Sequence, residues 1–213
     1  YPDLLPNRNV VHAPLISISK MKEYSELKAH FSNLNGFDWL VFTSRHTVRI
    51  FFEELFEAGH DVRALGRLRV ASVGKITSNE LRKWGVKPDL QPEEESSEGL
   101  LAAFEALRLQ GARVLIPRSN LALPILPEGL TKLGHQVSTT IVYENVLPQP
   151  VQIPAAHSYE AVLFSSPSCV ENFVQLGQTF HPNKTYIYRG RQTLKKLEAV
   201  APEGTKMERV NSQ

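Results

Sequence analysis

The sequence predicts an α/β protein built from two similar parallel-sheet domains. Three observations predict it. Apolar runs of strand length alternate along the chain with helical stretches, which argues parallel sheets covered by helices. The run Asp38-Trp-Leu-Val-Phe-Thr-Ser-Arg-His-Thr-Val-Arg-Ile-Phe-Phe52 has a counterpart at an offset of 122, Glu160-Ala-Val-Leu-Phe-Ser-Ser-Pro-Ser-Cys-Val-Glu-Asn-Phe-Val174. A second pair, Val73-Gly-Lys-Ile-Thr-Ser-Asn-Glu-Leu81 and Arg189-Gly-Arg-Gln-Thr-Leu-Lys-Lys-Leu197, lies at an offset of 116 and keeps Gly-x-x-Thr between a strand and a helix. Two pairs in the same order point to a duplicated unit.

The elements follow from the N-terminus. Asn9 to Ile18 is an extended, β-rich run, with Pro14 placing it at an edge or between domains. Tyr24 to Leu34 carries Leu27, Phe31 and Leu34 at helical spacing and is closed by Gly36. Trp39 to Phe42 is a strand that stops at Thr43-Ser44, and a helix begins at once with Val48, Phe51 and Phe52 on one face. A Ser or Thr there caps the helix, and the free N–H groups and dipole beyond it suit an anion. Arg69 to Val73 is the next strand, and Gly74 to Trp84 the next turn and helix, stopped by Gly85. Ser96 and Ser97 cap a helix with Leu100, Leu101, Phe104 and Leu107, and Glu93-Glu94-Glu95 are a solvated lead-in to it. Ala112 to Ile116 is a strand, followed by a turn at Pro117-Arg118-Ser119-Asn120. The helix after that turn starts late or kinks, because Pro124 and Pro127 fall inside it. His135 to Asn145 is β-rich, Val146 to Pro154 a proline-rich linker, and the second copy fills roughly 155–213.

Ligands of parallel sheets bind beyond the carboxyl ends of the strands. Thr43-Ser44, Gly74 to Thr77, Arg118-Ser119, Ser165-Ser166 and Gly190 to Thr193 are all expected at such junctions. The unit from Val114 through Val137 is matched in the other half only by its tail, around Val10 to Leu15. A first strand, and a last helix after Val210, are therefore expected to be missing.

Composition excludes several classes. The chain has 213 residues, enough for one large or two small domains, and its 24 basic and 22 acidic residues leave a net charge of +2. That is too balanced for a nucleic-acid binder, so an anionic ligand has to be held by a local cluster. Cys169, the single cysteine, excludes an internal disulfide and fits a reducing compartment; its place early on an apolar helix is explained by packing. No run approaches the ~18 apolar residues of a membrane span, and no signal peptide is visible. The histidines at 12, 30, 46, 60, 135, 157 and 181 have no metal-ligand spacing, so no metal is expected, and His46 and His157 read as ordinary surface histidines. The glycine patterns of dinucleotide and P-loop sites are absent.

Five stretches together resemble the uroporphyrinogen-III synthase family. They are Asp38-Trp-Leu-Val-Phe-Thr-Ser44; Val73-Gly74 with Thr77; Val114-Leu-Ile-Pro-Arg118; Leu126-Pro-Glu-Gly-Leu-x-x-Leu-Gly134 with Val142-Tyr143; and Phe164-Ser-Ser with Val170 and Phe173. Their order and spacing carry the resemblance. Arg189, ahead of Gly190, departs from the family's usual apolar residue.

The resemblance implies one discontinuous domain, 1–12 plus 147–213, and one inserted domain, 20–138. A two-stranded β-ladder, 13–19 and 139–146, would join them. It implies a cytoplasmic, monomeric enzyme of heme and tetrapyrrole biosynthesis, a cyclising hydro-lyase without cofactor or metal. Its substrate would be linear hydroxymethylbilane, handed over by hydroxymethylbilane synthase. Water is lost, ring D inverts and the ring closes as uroporphyrinogen III; unassisted closure gives the type I isomer, so the protein's task is mainly positioning. The substrate's carboxylates would meet Thr43, Ser44, Arg45, Gly74, Lys75, Thr77, Arg118, Ser119, Ser165, Ser166, Ser168, Gly190, Arg191 and Thr193. Tyr143 is the expected catalytic residue, a phenol able to donate to the departing hydroxyl. The competing expectation is a non-enzymatic two-domain ligand-binding or regulatory protein on the same scaffold.

Overall fold

A computed structural model describes residues 9–149 and 152–210. Expectations that fall on residues 1–8, 150–151 and 211–213 lie outside the described residues. Two compact units result: one holds the chain from Ile18 to Asn145, the other the chain up to Ser17 and from Val146 on.

The 18–145 unit is an α/β sheet, parallel through four of its five strands, with helices on both faces. Its strands are β1 (Ser17–Lys20), β2 (Trp39–Phe42), β3 (Arg69–Ser72), β4 (Arg113–Ser119) and β5 (Gln136–Val146), in the spatial order β1-β5-β4-β2-β3. β2 runs parallel to β3 and β4, and β4 parallel to β5. The helices are α1 (Ser25–Phe31), α2 (Arg45–Glu57), α3 (Lys75–Lys83), α4 (Ser97–Ala106) and α5 (Ile125–Lys132).

The period-2 alternation of a strand explains the layering. Leu40 and Phe42 of β2 join a core with Leu27, Phe31, Phe51, Phe52, Leu55 and Leu81 from α1, α2 and α3. Trp39 and Val41 face the other way, onto Leu100 and Phe104 of α4 and Leu126 and Leu130 of α5. All four β2 residues are therefore buried, as a parallel strand covered on both faces requires. Phe51 packs edge-on against both Phe31 and Phe42, with ring centroids 5.3 and 5.4 Å apart.

The other unit carries β6 (Ala161–Phe164), α6 (Pro167–Gln175), β7 (Thr185–Tyr188), α7 (Arg191–Val200) and β8 (Met207–Arg209), with a parallel sheet ordered β6-β7-β8. Phe164, Val170, Phe173, Tyr186 and Leu197 form its core together with Leu15. The Asn172 side-chain amide donates to the Leu15 carbonyl at 2.7 Å and fastens that early segment to α6.

The sequence repeat is a structural repeat. Trp39 pairs with Arg69 and Ala161 with Thr185, so both strand pairs keep the register that the two offsets require. A degenerate third strand extends the match: Leu90 forms a parallel bridge with Ala71, where Glu208 of β8 pairs with Ile187.

Three local expectations change and a fourth resolves. The first helix stops at Phe31 and is followed by a 3-10 turn at Leu34–Gly36, which still buries Leu34. Pro117, Arg118 and Ser119 belong to β4 and not to the turn after it, with a register shift between Arg118 and Ser119. Of the two outcomes expected for the helix with Pro124 and Pro127, α5 takes the late start. Pro124 is its N-cap, and Pro127 lies in the first turn, where backbone N–H groups have no helical partner to lose. Residues 139–143, expected in a crossover, continue β5 and pair with β4.

Candidate functional site

Parallel pairing brings the carboxyl ends of β2, β3, β4 and β5 to one edge of the 18–145 sheet. Thr43 and Ser44 follow β2, Gly74 and Lys75 follow β3, Ser119 ends β4, and Tyr143 lies late on β5. In the other unit Ser165, Ser166 and Ser168 follow β6, while Gly190, Arg191 and Thr193 follow β7.

Ser44 is the best-defined of these groups. It caps α2 in extended conformation, and its Oγ accepts from the His46 N–H at 3.1 Å. The Thr47 hydroxyl donates to the Ser44 carbonyl at 2.6 Å. Tyr143, only 7% exposed, donates its hydroxyl to the same Ser44 Oγ at 3.4 Å, across 99 residues of chain. The β5 backbone holds Tyr143 opposite Ser119, and its carbonyl accepts from the Asn120 N–H at 3.2 Å. The Asn120 side chain in turn accepts from the Asn145 N–H at 2.9 Å. The phenol is thus fixed at both ends, by strand pairing and by a helix cap.

His46 completes this cluster. Its ring meets the Tyr143 ring edge-on, with centroids 6.1 Å apart and planes at 65°. Burial pushes its pKa below 6.5, and the positive charges of Arg45 and Arg49 push it the same way. Arg45, first residue of α2, is exposed. His46 reads as a surface histidine from its helical position, which does not reveal the β5 side chain across from it.

The N-terminus of α3 already holds a carboxylate. Glu95 accepts from the Lys75 N–H at 3.1 Å, and its side chain lies against Gly74 where a Cβ would stand. The predicted solvated lead-in therefore serves as an anion for a neighbouring helix. Lys75 itself is exposed. Behind this junction the Ser72 and Ser78 hydroxyls bond at 2.6 Å, and Ser78 donates to the Gln91 side chain.

Of the hydroxyls read as caps or ligands, Ser44 and Ser166 are caps. Ser166 accepts from the Cys169 N–H at 3.4 Å, and the Cys169 sulfur lies 3.4 Å from both the Ser165 and Ser166 hydroxyls. Thr77 and Thr193 are not caps. Gly74 and Gly190 occupy those positions, and both threonines are buried in the first helical turn, 4% and 3% exposed. Arg118 is half-buried and donates to the Ala122 carbonyl, which fastens the loop between β4 and α5. Thr43 and Ser168 are half-buried; Ser165, Gly190 and Arg191 are exposed. No helix among the described residues is long and apolar enough to cross a membrane.

Comparison with known proteins agrees with this architecture. A family model described as uroporphyrinogen-III synthase HemD matches residues 7–203. A Methanothermobacter thermautotrophicus protein, provisionally named a uroporphyrinogen-III synthase, is 30% identical over 78% of this chain and 72% of its own length. The uroporphyrinogen-III synthase of Chlorobaculum parvum is 30% identical over 67% of this chain, which spans 61% of that relative. A Thermus thermophilus uroporphyrinogen III synthase structure shares the fold with a TM-score of 0.67 at 19% identity, covering 94% of this chain and 82% of that one. The Helicobacter pylori enzyme's structure gives 0.58 at 18% identity, covering 92% and 83%. The family match over most of the sequence, with relatives at 30% identity, is decisive: the chain belongs to the uroporphyrinogen-III synthase family.

Proposed function

We propose that this chain converts hydroxymethylbilane to uroporphyrinogen III as a cyclising hydro-lyase, with Tyr143 as the proton donor. The observation that supports it is the Tyr143 hydroxyl held at the Ser44 cap of α2, on the sheet edge where parallel α/β folds place their ligands. Donation from the phenol to the substrate's terminal hydroxyl breaks its C–O bond and releases water. Ring D attacks the resulting azafulvene carbon and forms the spirocyclic intermediate. Migration of the third bridge then inverts the ring, and the proton lost from the ring D carbon restores the phenol.

Each unit contributes carboxylate-binding groups at the carboxyl edge of its own sheet. A single exposed helix terminus contributes only about 0.3–1 kcal/mol toward an anion, so several are needed. The capped N-termini of α2 and α6, with Arg45 and Arg191 beside the starts of α2 and α7, supply them. The free Cys169 fits a reducing, cytoplasmic setting. The reading includes a monomer that takes its substrate from hydroxymethylbilane synthase.

Supplying hydroxymethylbilane, oxidising the products and separating the isomers tests the reading. The protein should raise the type III isomer well above the type I background. Type I product alone from the intact chain would favour instead a non-enzymatic ligand-binding or regulatory protein on the same scaffold.

A further inference from the structure

We propose that His46 is a positioning residue for Tyr143, whose neutral imidazole holds the phenol at Ser44 and whose protonation releases it. This rests on the catalytic reading of Tyr143. The ring contact at 6.1 Å places His46 on the flank of the phenol, while the His46 backbone N–H and the Tyr143 hydroxyl converge on one acceptor, Ser44 Oγ. A shift of the imidazole therefore disturbs the ring that leans on it, and with that ring the hydroxyl that donates to Ser44 Oγ.

The surroundings favour the neutral form. Arg45 Nε donates to His46 Nε2 at 3.5 Å, a contact that nitrogen accepts while it carries no proton. A second proton would turn Nε2 into a donor facing a guanidinium. The charged groups around the ring are Arg45 and Arg49 on α2 and Glu80 on α3; Tyr143 faces it from β5. Glu80 is the only favourable counter-charge among them, and it is ion-paired with Lys83 at 2.8 Å. Arg49 pairs with Glu53 at 3.6 Å. Protonation thus adds a cation beside two others and breaks the Arg45 contact, and the repulsion moves the imidazole away from its place against the Tyr143 ring.

The experiment compares wild type with His46→Ala, His46→Phe and Tyr143→Phe for type III formation between about pH 5 and pH 8, a window set by imidazole titration. Thermal unfolding checks that each variant is folded. His46→Ala should lower kcat about tenfold with KM nearly unchanged, because a displaced catalytic group costs turnover. His46→Phe restores the edge-on contact without a titrating group. It should recover several-fold of that loss at neutral pH and lack the acid limb that wild type shows below pH 6.5. Wild-type kcat in His46→Ala, or the same acid limb in His46→Phe as in wild type, would overturn the proposal. Tyr143→Phe separates the two readings. If it retains turnover, the catalytic role of Tyr143 fails; if it loses turnover while the His46 variants match wild type, only the positioning role fails.

Discussion

Replacing Tyr143 by Phe removes one oxygen and leaves the ring that packs into the core beside Phe42 and Val142. The phenol's bond to Ser44 is long, 3.4 Å, so its net contribution to stability is below about 1 kcal/mol. The fold should survive with little change in melting temperature. Catalysis is another matter, because the proposed donor to the departing hydroxyl is gone. Turnover should fall roughly 10–10³-fold, within or below the usual range for a lost general acid, or about 1.4–4 kcal/mol of barrier at ~1.36 kcal/mol per decade. The assay follows initial rates of hydroxymethylbilane consumption, with products oxidised and resolved as isomers. A folded Tyr143→Phe protein should give a type I fraction that grows as enzymatic closure slows toward the unassisted rate. Near-wild-type formation of the III isomer would refute the reasoning and leave Tyr143 as a packing residue.

Three further outcomes are expected. Ser44→Ala removes the α2 cap and the acceptor of Tyr143. It should cost about 1 kcal/mol, a fall of about 2–6 °C on thermal unfolding, and it should also reduce turnover. Glu54 is 4% exposed, and burial first, then Glu57, hold its carboxyl above 4.5 despite Lys28 at 3.8 Å. Its charge therefore costs stability above its folded pKa, a cost relieved as pH falls through that value toward 4.5. Glu54→Gln should be the more stable form in denaturant titrations at pH 7, and its advantage should vanish near pH 4.5. A Cβ at Gly99 would overlap the Glu94 backbone carbonyl, whereas one at Gly74 would meet only the movable Glu95 side chain. Gly99→Ala should lose about 1–3 kcal/mol in chemical unfolding, and Gly74→Ala clearly less.

The fold was legible in the sequence where strand and helix patterns were strong. Trp39 to Phe42 and its counterpart Ala161 to Phe164 were readable as strands because each is an apolar run ending in a hydroxyl pair. The repeat was readable because Phe42 and Phe164, and Val48 and Val170, do the same packing in each unit. The run of Pro117, Arg118 and Ser119 was not. Proline reads as a break, yet Pro117 stays in β4 opposite Thr140. The candidate site was legible only in part. Ser44 and Ser166 announced themselves as caps through position alone. Thr77 and Thr193 share that signature but follow a glycine cap and turn inward. The roles of His46 and Glu95 depend on contacts to residues far along the chain, Tyr143 at 97 positions and Lys75 at 20, and no local pattern encodes those.

The central claim is that this protein holds a linear tetrapyrrole so that ring D is inverted in the course of closing the macrocycle. Carbon-13 at both the hydroxymethyl carbon and the ring D carbon that bears the third bridge tests it most directly. Inversion joins the two labelled carbons, and the oxidised, esterified product should then show a one-bond carbon–carbon coupling in its NMR spectrum. Labels left without that coupling, with ring D in its original orientation, would contradict the account.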